Sequence, residues 1–366
     1  MKIICSKQSL LNSIHIVQKA ISSNTPYPIL TGILFDAREN LVLTGYDTEI
    51  TIQCTTDCVI EKQGSIVIDS KTISDIIGKL PDADIFIEVK EDNNVHIDCR
   101  KSHFEIKGIN AESYPSIEEV EKAFNHKMKK ETLKNMIRQT IFATGKDDNK
   151  PILMGEMIEK KDGKLTVVAI DGYRMALRND FSEEGEDFKV VIPEKTLKQI
   201  IGIIQNSEDY INIYLEETQI LFEFDNCKVS SRLINGDYLD YNNILPKEYN
   251  TTVFAVKADL LSAVERASLI IEEGKKHPIM IKVEENEMII YANTEIGTVK
   301  EEIDVGKEGL DLEIGFNSLF LLETLKVIDD ERIKIEFTTA VSPCVMSPVE
   351  GEEYKYLVLP VRTKSE

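Results

Sequence analysis

Residues 188–205 read FKVVIPEKTLKQIIGIIQ, a β-branched run that ends in a proline and continues directly into a helical pattern. The apolar residues of the second half recur three and four positions apart, which places them on one face of an α-helix. These residues are Leu197, Ile200, Ile201 and Ile204. The stretch therefore predicts a strand followed at once by an amphipathic helix, which we term a strand–helix corner.

The chain repeats this corner twice more. Residues 65–80 read SIVIDSKTISDIIGKL and residues 312–328 read LEIGFNSLFLLETLKVI, with apolar side chains at matching offsets. In the last copy the predicted buried face consists of Leu319, Leu322 and Leu325. Equivalent positions of successive copies are 124 and 122 residues apart. The chain is therefore built from three units of similar length.

A second landmark precedes each corner in register. Pro-Ile-Leu occurs at 28–30 and 151–153, and Pro-Ile-Met occurs at 278–280, at separations of 123 and 127 residues. We expect each of these segments to open a β-strand. This period is far longer than the ~20–50 residues of solenoid repeats, so the repeating unit is a whole domain.

We therefore predict an α+β fold of three tandem domains, each with two helices packed on antiparallel sheets of about eight strands. The predicted bounds are 1–120, 127–249 and 252–366, separated by polar segments without periodicity. A chain of 366 residues with 42% hydrophobic residues has enough apolar surface for three cores.

Composition bounds the class of protein and its compartment. The net charge of −21, taken as a surface average, argues against nucleic-acid binding because phosphates would be repelled. No apolar run approaches the ~18 residues of a membrane span, and residues 1–21 lack the continuous apolar core of a signal peptide. Six scattered cysteines predict free thiols in a reducing compartment. We expect a cytoplasmic protein without a membrane partner.

Motifs of catalysis and cofactor binding are missing from the sequence. Cys54 and Cys58 form a CxxxC pair without a second pair that would complete a zinc site, and the five histidines are not clustered. Neither a glycine-rich phosphate loop nor a GxSxG nucleophile motif occurs. We therefore expect no catalytic residue, metal or cofactor, which favours a binding or scaffolding role.

Asp171, in the segment AIDGYR, leaves one enzymatic alternative open. An Asp before a Gly is typical of a turn, and this is the favoured interpretation. The alternative is a three-domain enzyme with an active site in an interdomain cleft near Asp171 and Arg174.

Charge is distributed unevenly between the helices and the rest of the chain. The predicted helices are 7–21, 70–80, 129–144, 194–206, 257–271 and 316–328. They contain 13 Lys or Arg against 6 Asp or Glu, which leaves the remainder of the chain at −28. Helices on one shared face would make that face positive, and such a face could hold a polyanion through phosphate contacts alone. The alternative is that Lys and Arg are simply good helix formers, but Glu is equally good and is scarce here. The candidate phosphate-contacting residues are Lys7, Lys19, Lys71, Lys79, Lys130, Lys134, Arg138, Lys195 and Lys198.

Five longer motifs carry a resemblance to a known family across essentially the whole chain. They are TVVAIDGYRMAL at 166–177, RLINGDYLDYNNILP at 232–246, LLSAVERASL at 260–269, IGFNSLFLLETL at 314–325 and YLVLPVR at 356–362. With the threefold repeat, these motifs resemble the bacterial sliding clamps, the β subunits of DNA polymerase III. The resemblance implies a crescent-shaped protomer that dimerises head to tail into a ring of six domains. Helices would line the hole, and duplex DNA would pass through it without sequence-specific contacts.

The resemblance also implies a peptide-binding groove between the second and third domains. The groove would accept short apolar, Gln-containing tails of the replicative polymerase, the clamp loader and repair polymerases. Matching positions are Leu153, Ile170, Gly172, Tyr173, Arg174, Met175, Leu239, Asn243, Ile244, Asn317, Phe320, Val341, Pro343, Val358, Leu359, Pro360, Val361 and Arg362. For Leu153, Ile170 and Val358 a plain core position is the competing interpretation.

The chain departs from the family pattern at several groove positions. Tyr173 stands where His is frequent, and Leu239 and Asn243 replace a common Pro and Arg. Four further residues, Thr363 to Glu366, extend the chain beside the groove. Head-to-tail closure in the family implies that Phe104 and Ile106 meet Leu269 and Ile270 of a second copy, an interface that closes by symmetry. The competing interpretation of these apolar residues is intradomain core.

Overall fold

The computed structural model describes residues 1–22, 24–122, 125–182, 186–205, 207–271 and 277–361. Within these residues there are six α-helices, two for each repeat, as predicted. They are α1 (Lys7–Val17), α2 (Ser70–Lys79), α3 (Lys130–Thr140), α4 (Glu194–Ile203), α5 (Lys257–Ser268) and α6 (Ser318–Val327). A 3₁₀ turn follows α1 at Gln18–Ala20, and another follows α3 at Ile141–Ala143.

The strands alternate with these helices in the same order in every repeat. The first repeat contains β1 (Lys2–Ser6), β2 (Gly32–Ala37), β3 (Leu41–Tyr46), β4 (Ile50–Thr56), β5 (Cys58–Lys62), β6 (Gly64–Asp69), β7 (Asp84–Val89), β8 (Asn94–Cys99) and β9 (Ser102–Lys107). The second contains β10 (Asn125–Lys129), β11 (Gly155–Lys161), β12 (Lys164–Ile170), β13 (Arg174–Phe181), β14 (Phe188–Pro193), β15 (Tyr210–Leu215), β16 (Gln219–Phe224) and β17 (Cys227–Arg232). The third contains β18 (Thr251–Val256), β19 (Ile279–Glu284), β20 (Glu287–Asn293), β21 (Thr298–Asp304), β22 (Gly306–Gly309), β23 (Leu312–Phe316), β24 (Arg332–Phe337), β25 (Cys344–Pro348) and β26 (Tyr354–Val358).

All three strand–helix corners are confirmed: β6 leads into α2, β14 into α4 and β23 into α6. At two of them a side chain caps the helix. The Thr72 amide donates to Asp69 Oδ1 at 2.8 Å, and the Leu319 amide donates to Asn317 Oδ1 at 2.9 Å. These caps satisfy backbone N–H groups that have no partner inside the helix, and they fix where each helix begins.

The expectation that the Pro-Ile-Leu segments open strands is wrong for the first two copies. Residues Pro28–Thr31 and Pro151–Met154 form 3₁₀ turns, and β2 and β11 begin only at the following glycine. Proline at the start of a helical turn has the required φ and lacks an N–H that would be unsatisfied there. In the third copy, β19 does begin at Ile279.

The predicted buried face of α6 is also partly wrong. Leu319 is 54% exposed, whereas Leu321, Thr324, Leu325 and Ile328 are buried. These four residues recur at helical spacing from Leu321 onward, so they form the face that packs inward. Apolar residues occur on several faces of this leucine-rich helix. Their spacing alone therefore did not identify which face is buried.

Two compact units make up the chain: residues 1–131 with 198–233, and residues 132–197 with 234–366. The first unit contains a five-stranded sheet of order β5-β1-β7-β8-β9 and an eight-stranded sheet of order β10-β15-β16-β17-β4-β3-β2-β6. The second contains a nine-stranded sheet of order β14-β11-β12-β13-β26-β25-β24-β18-β22 and a four-stranded sheet of order β21-β20-β19-β23. Every strand pairing is antiparallel, as expected for an α+β fold of hairpins.

Two of these sheets continue across the predicted repeat boundaries. Cys227 of β17 lies opposite Cys54 of β4, so strands of the first and second repeats share the eight-stranded sheet. Arg174 of β13 lies opposite Val358 of β26, so strands of the second and third repeats share the nine-stranded sheet. Continuous ladders leave no unpaired sheet edge at these junctions.

Within each unit, helices pack on the sheets. In the first unit α1 lies on β3 and β4, and α2 packs beside α1. A side chain at Gly45 would overlap the carbonyl oxygen of Val17, so only glycine allows α1 to lie this close to β3. In the second unit α5 and α6 pack beside each other over a core that includes Val264, Phe316 and Leu325. No helix in the described part of the chain is long and apolar enough to cross a membrane.

One carboxylic acid is buried in the second unit. Glu156 of β11 is 0% exposed, and its Oε1 lies 2.7 Å from the hydroxyl of Thr140. The same hydroxyl lies 2.8 Å from the carbonyl oxygen of Met136 and has a single hydrogen to donate. Burial raises the pKa of Glu156 well above its ordinary value, and the charge of Glu194 raises it further. A protonated Glu156 that donates to Thr140, while Thr140 donates to Met136, pairs Oε1, the hydroxyl and the carbonyl oxygen.

We expect Glu156→Gln to leave stability unchanged at pH 5 and to make the protein more stable than the parent at pH 9. A folded-state pKa above the unfolded one means that the stability contributed by Glu156 is present at low pH. It is lost as pH rises through the folded-state pKa. Glutamine keeps the shape and the donor but cannot ionise. Chemical unfolding at pH 5, 7 and 9 measures the difference, with exposed Glu217→Gln as control. If the difference in unfolding free energy between Glu156→Gln and the parent does not grow with pH, the assignment of a protonated Glu156 is contradicted.

Candidate functional site

The helices present most of their predicted cationic side chains to solvent. Lys134 is half-buried, and the exposed members of the set are Lys19, Lys71, Lys79, Lys195 and Lys198. In the first unit, α1 and Gln205, which follows α4, border an open cavity of about 650 Å³ that is lined mainly by polar residues. A Cβ at Gly202 of α4 would lie 3.3 Å from the ammonium of Lys19. Lys19 and the residues of α1 thus lie close to the end of α4.

Lys7, Lys130 and Arg138 of the predicted set have identified partners inside the protein. Lys130 is 2% exposed, and its Nζ lies 2.5 Å from Asp225 and 3.7 Å from Asp209. Because its charge is buried and balanced by carboxylates, Lys130 is unsuited to a phosphate contact, which corrects the expectation. Lys7 donates to the carbonyl oxygens of Gly78 and Leu80 at the end of α2, where the helix dipole favours a cation.

Arg138 is the third of these. Its guanidinium pairs with Asp329, which also accepts a hydrogen bond from Gln139 at 2.9 Å. The side chain remains 38% exposed, so part of it still faces solvent. Its positive charge is nevertheless offset within the second unit.

The described members of the predicted groove all belong to the second unit. Arg362, and Thr363 to Glu366 after it, lie outside the described residues. Four of them are core: Leu153, Ile170 and Met175 pack in one apolar cluster, and Val358 packs in another. The competing core interpretation is therefore confirmed for Leu153, Ile170 and Val358. These side chains support the floor of the site without presenting much surface to a ligand.

The remaining positions form the accessible surface. Six are exposed, namely Gly172, Tyr173, Leu239, Asn243, Val341 and Leu359. Six are half-buried, namely Ile244, Asn317, Phe320, Pro343, Pro360 and Val361. Tyr173 is 64% exposed and Val341 is 76% exposed, which is unusual for large apolar side chains. Exposed apolar side chains that are grouped with a few polar ones are typical of a protein-binding surface.

Backbone hydrogen bonds bring these distant segments together. The β13–β26 ladder ends with Arg174 opposite Val358, and the Leu359 amide then donates to the Tyr173 carbonyl at 2.9 Å. The Val361 amide donates to the Gly315 carbonyl at 2.8 Å, next to the corner that begins α6. The chain after β26 is therefore held between the 171–174 turn and α6.

Arg174 is the centre of the site. Its side chain is only 8% exposed, and the guanidinium carbon lies 4.6 Å from the ring centre of Phe320 and 5.1 Å from that of Phe142. Nε donates to Asp171 at 2.9 Å, Nη1 donates to Glu323, and Nη2 donates to the Phe142 carbonyl at 2.6 Å. Planar stacking combined with a donor fork is the geometry for which arginine is suited and lysine is not.

The aromatic stack extends from Arg174 to the surface. The rings of Phe320 and Tyr173 are 6.1 Å apart at an interplanar angle of 28°. Tyr173 is thus held against Phe320, while Phe320 is held against Arg174. An exposed ring fixed in this way offers contact area at little cost in conformational entropy.

Asp171 has a structural role. Its Oδ1 accepts the amides of Tyr173 and Arg174 at 2.8 and 2.9 Å, and its Oδ2 accepts the Arg174 guanidinium. This is the turn geometry that the favoured interpretation predicted. With both oxygens engaged, Asp171 does not act as a catalytic acid, and the enzymatic alternative has no support.

Sequence reasoning missed Phe142 and Glu323, which hold Arg174 in place. They are 32 and 149 residues from it along the chain, and no short spacing connects them. The 3₁₀ turn at Ile141–Ala143 packs on β13 and α6 packs on the adjoining β26, and this tertiary packing places both residues beside Arg174.

The predicted dimerisation residues lie on accessible edges of their own units. Phe104 is 40% exposed and Ile106 is half-buried on β9, the edge strand of the five-stranded sheet. Leu269 is 81% exposed just after α5, and Ile270 beside it is half-buried. The Thr294 hydroxyl donates to the Ile270 carbonyl at 3.0 Å, which fixes the backbone there. An edge strand and a protruding leucine are features that a second subunit could cover.

Comparison with known proteins gives matches over nearly the whole chain. Models of the N-terminal, central and C-terminal domains of the DNA polymerase III beta subunit match residues 1–118, 127–240 and 242–362. Beta sliding clamps of Halalkalibacterium halodurans and Bacillus subtilis are 35% and 34% identical, over 99% of this chain and 100% of their own. The crystal structure of the DNA polymerase sliding clamp from Bacillus subtilis superposes with a TM-score of 0.97 at 33% identity, covering 99% of both chains.

Proposed function

Because this chain belongs to the family of DNA polymerase III beta subunits, the bacterial sliding clamps, we propose that two copies close head to tail into a ring around duplex DNA. The chain is a DNA sliding clamp, a non-catalytic processivity factor of replication. Its fold consists of three clamp domains, which we place at 1–120, 127–249 and 252–366. Replication takes place on cytoplasmic DNA in bacteria, and we place the protein in that compartment.

The distribution of charge supports the proposed position of the DNA. Five lysines of α1, α2 and α4 and their adjoining turns are exposed, although the chain outside the predicted helices carries −28. Isolated lysines contact phosphates weakly and without regard to sequence, which suits a protein that must slide. The acidic remainder would repel DNA from other surfaces. We therefore assign phosphate contacts to Lys19, Lys71, Lys79, Lys195 and Lys198, with Lys134 and Arg138 as partial contributors.

We assign closure of the ring to the two apolar edges. Phe104 and Ile106 of one copy would meet Leu269 and Ile270 of the next. Because the two surfaces differ, the contact is heterologous, and a ring of two copies uses both surfaces of each. The high exposure of Leu269 in the single chain supports this assignment.

We assign partner binding to the groove around Tyr173. The exposed aromatic and aliphatic residues would take the apolar side chains of a short peptide, while Asn243, Asn317 and backbone groups would orient it. The replicative polymerase, the clamp loader and repair polymerases are the proposed partners. The observation that supports this best is the Tyr173–Phe320–Arg174 stack, a preformed wall on an accessible surface.

Topological retention on DNA is the decisive test of the proposal. After loading onto nicked circular DNA with a clamp loader and ATP, the protein is expected to remain bound through gel filtration at ~0.5 M salt, because encirclement needs no strong contacts. Cutting the circle should release it. Lys71→Glu with Lys79→Glu serves as a charge variant that leaves closure intact. Dissociation from uncut circles at high salt would contradict encirclement and would favour a peptide-binding adaptor.

A further inference from the structure

Several carboxylates accept hydrogen bonds from residues of the groove. Asp171, Asp240 and Glu323 each accept at least one, and Arg174 is the cation bonded to Asp171 and Glu323. Asp171 and Glu323 both bind Arg174, and Asp240 Oδ2 accepts the Asn243 amide at 2.8 Å. These hydrogen-bonded groups therefore comprise three carboxylates and one guanidinium.

The charge of Arg174 is directed inward. The side chain is 8% exposed, and its donors are engaged by Asp171, Glu323 and the Phe142 carbonyl. A carboxylate on a ligand would have to displace one of these partners to reach the guanidinium. Glu323 remains 38% exposed. Its negative charge is therefore more accessible from the surface than the positive charge of Arg174.

Asp240 is the most accessible of the three acids. It is exposed next to Leu239, and its Oδ1 accepts the Asn242 amide at 3.1 Å as the cap of a short 3₁₀ turn, Tyr241–Asn243. Asn243, a neighbouring residue of the groove, is neutral, and its side-chain amide donates a hydrogen bond to Asp240. This rim of the groove consequently presents an exposed negative charge that attracts cations.

Building on the proposed function, we propose that the groove selects apolar peptide tails that carry Lys or Arg beside their apolar residues. Asp240 is the residue that determines this preference, with Glu323 in a secondary role. An acidic residue beside the apolar residues of the peptide is disfavoured, because it is repelled by the exposed carboxylate of Asp240. Charge complementarity of this kind sets specificity more than it sets total affinity.

Three synthetic peptides test the preference. They share one apolar, Gln-containing sequence and differ at a single flanking position, which is Lys, Gln or Glu. In fluorescence polarisation at ~50 mM salt we expect each step from Lys to Gln to Glu to weaken binding about threefold, as for an exposed charge pair. At ~0.5 M salt the three affinities should converge, because exposed charges are then screened.

Two variants assign the effect to a residue. Asp240→Asn keeps the capping oxygen and removes the charge, so we expect the span between the Lys and Glu peptides to shrink about threefold. Asp84→Asn, an exposed acid of β7, changes the net charge equally and should leave the span unaltered. Equal effects of the two variants would overturn the role of Asp240.

The outcomes separate this inference from the proposed function. Binding of all three peptides with equal affinity, or with the Glu peptide tightest, overturns the charge preference and leaves the groove assignment standing. Failure of every peptide to bind overturns the groove assignment and the preference with it.

Discussion

Replacement of Leu269 and Ile270 by alanine is expected to leave the protein as a monomer of 41.5 kDa in solution, where we expect the parent to form a species of twice that mass. Burying one Leu or Ile side chain contributes about 1.5 to 3 kcal/mol. The proposed ring would have two equivalent interfaces, so the double substitution would remove four such side chains. Because Leu269 is 81% exposed in the single chain, its loss should cost the fold itself little.

Sedimentation equilibrium measures the mass directly, and the circular DNA assay should show loss of retention in parallel. Leu310→Ala is the matched control, because Leu310 is 66% exposed but lies outside the assigned interface. A double variant that stays dimeric would place the interface elsewhere. Unfolding of the variant, seen as lost cooperativity in thermal melting, would show that the two residues are core residues instead.

Arg174→Ala is expected to give the largest loss of stability of any substitution in the groove. It leaves Asp171 and Glu323 without their cation, and it removes the layer between Phe142 and Phe320. Removing one partner of a buried ion pair costs about 3 to 5 kcal/mol, and the partial exposure of Glu323 places this case near the lower end. Tyr173 should lose its fixed position at the same time, so peptide binding should weaken as well.

Chemical unfolding measures the stability and the peptide assay measures the binding. Arg174→Lys retains the charge but lacks the planar fork, so it should rescue only part of both losses. Arg232→Ala, an exposed arginine at the end of β17, should change neither. An alanine variant of Arg174 with parental stability would show that the carboxylates find other partners.

The sequence by itself determined the elements that depend on near neighbours. The three strand–helix corners, the six helices and the turn at Asp171 follow from side-chain spacing, capping residues and turn chemistry, which act over a few residues. The excess of cationic residues on the helices is also a property of the sequence alone. The family resemblance extended this to the ring, the groove and the interface, which rest on matched motifs rather than on spacing.

Only the tertiary structure decided which of the candidate residues are accessible. Lys130 was indistinguishable from Lys134 in the sequence, yet Lys130 is buried and its ammonium pairs with Asp225, 95 residues away. Arg174 depends in the same way on Glu323, and the sheets join strands of adjacent repeats. The pairing of strands fixes such contacts. Periodicity can predict which face of a strand is buried, but it does not predict which distant strand lies beside it.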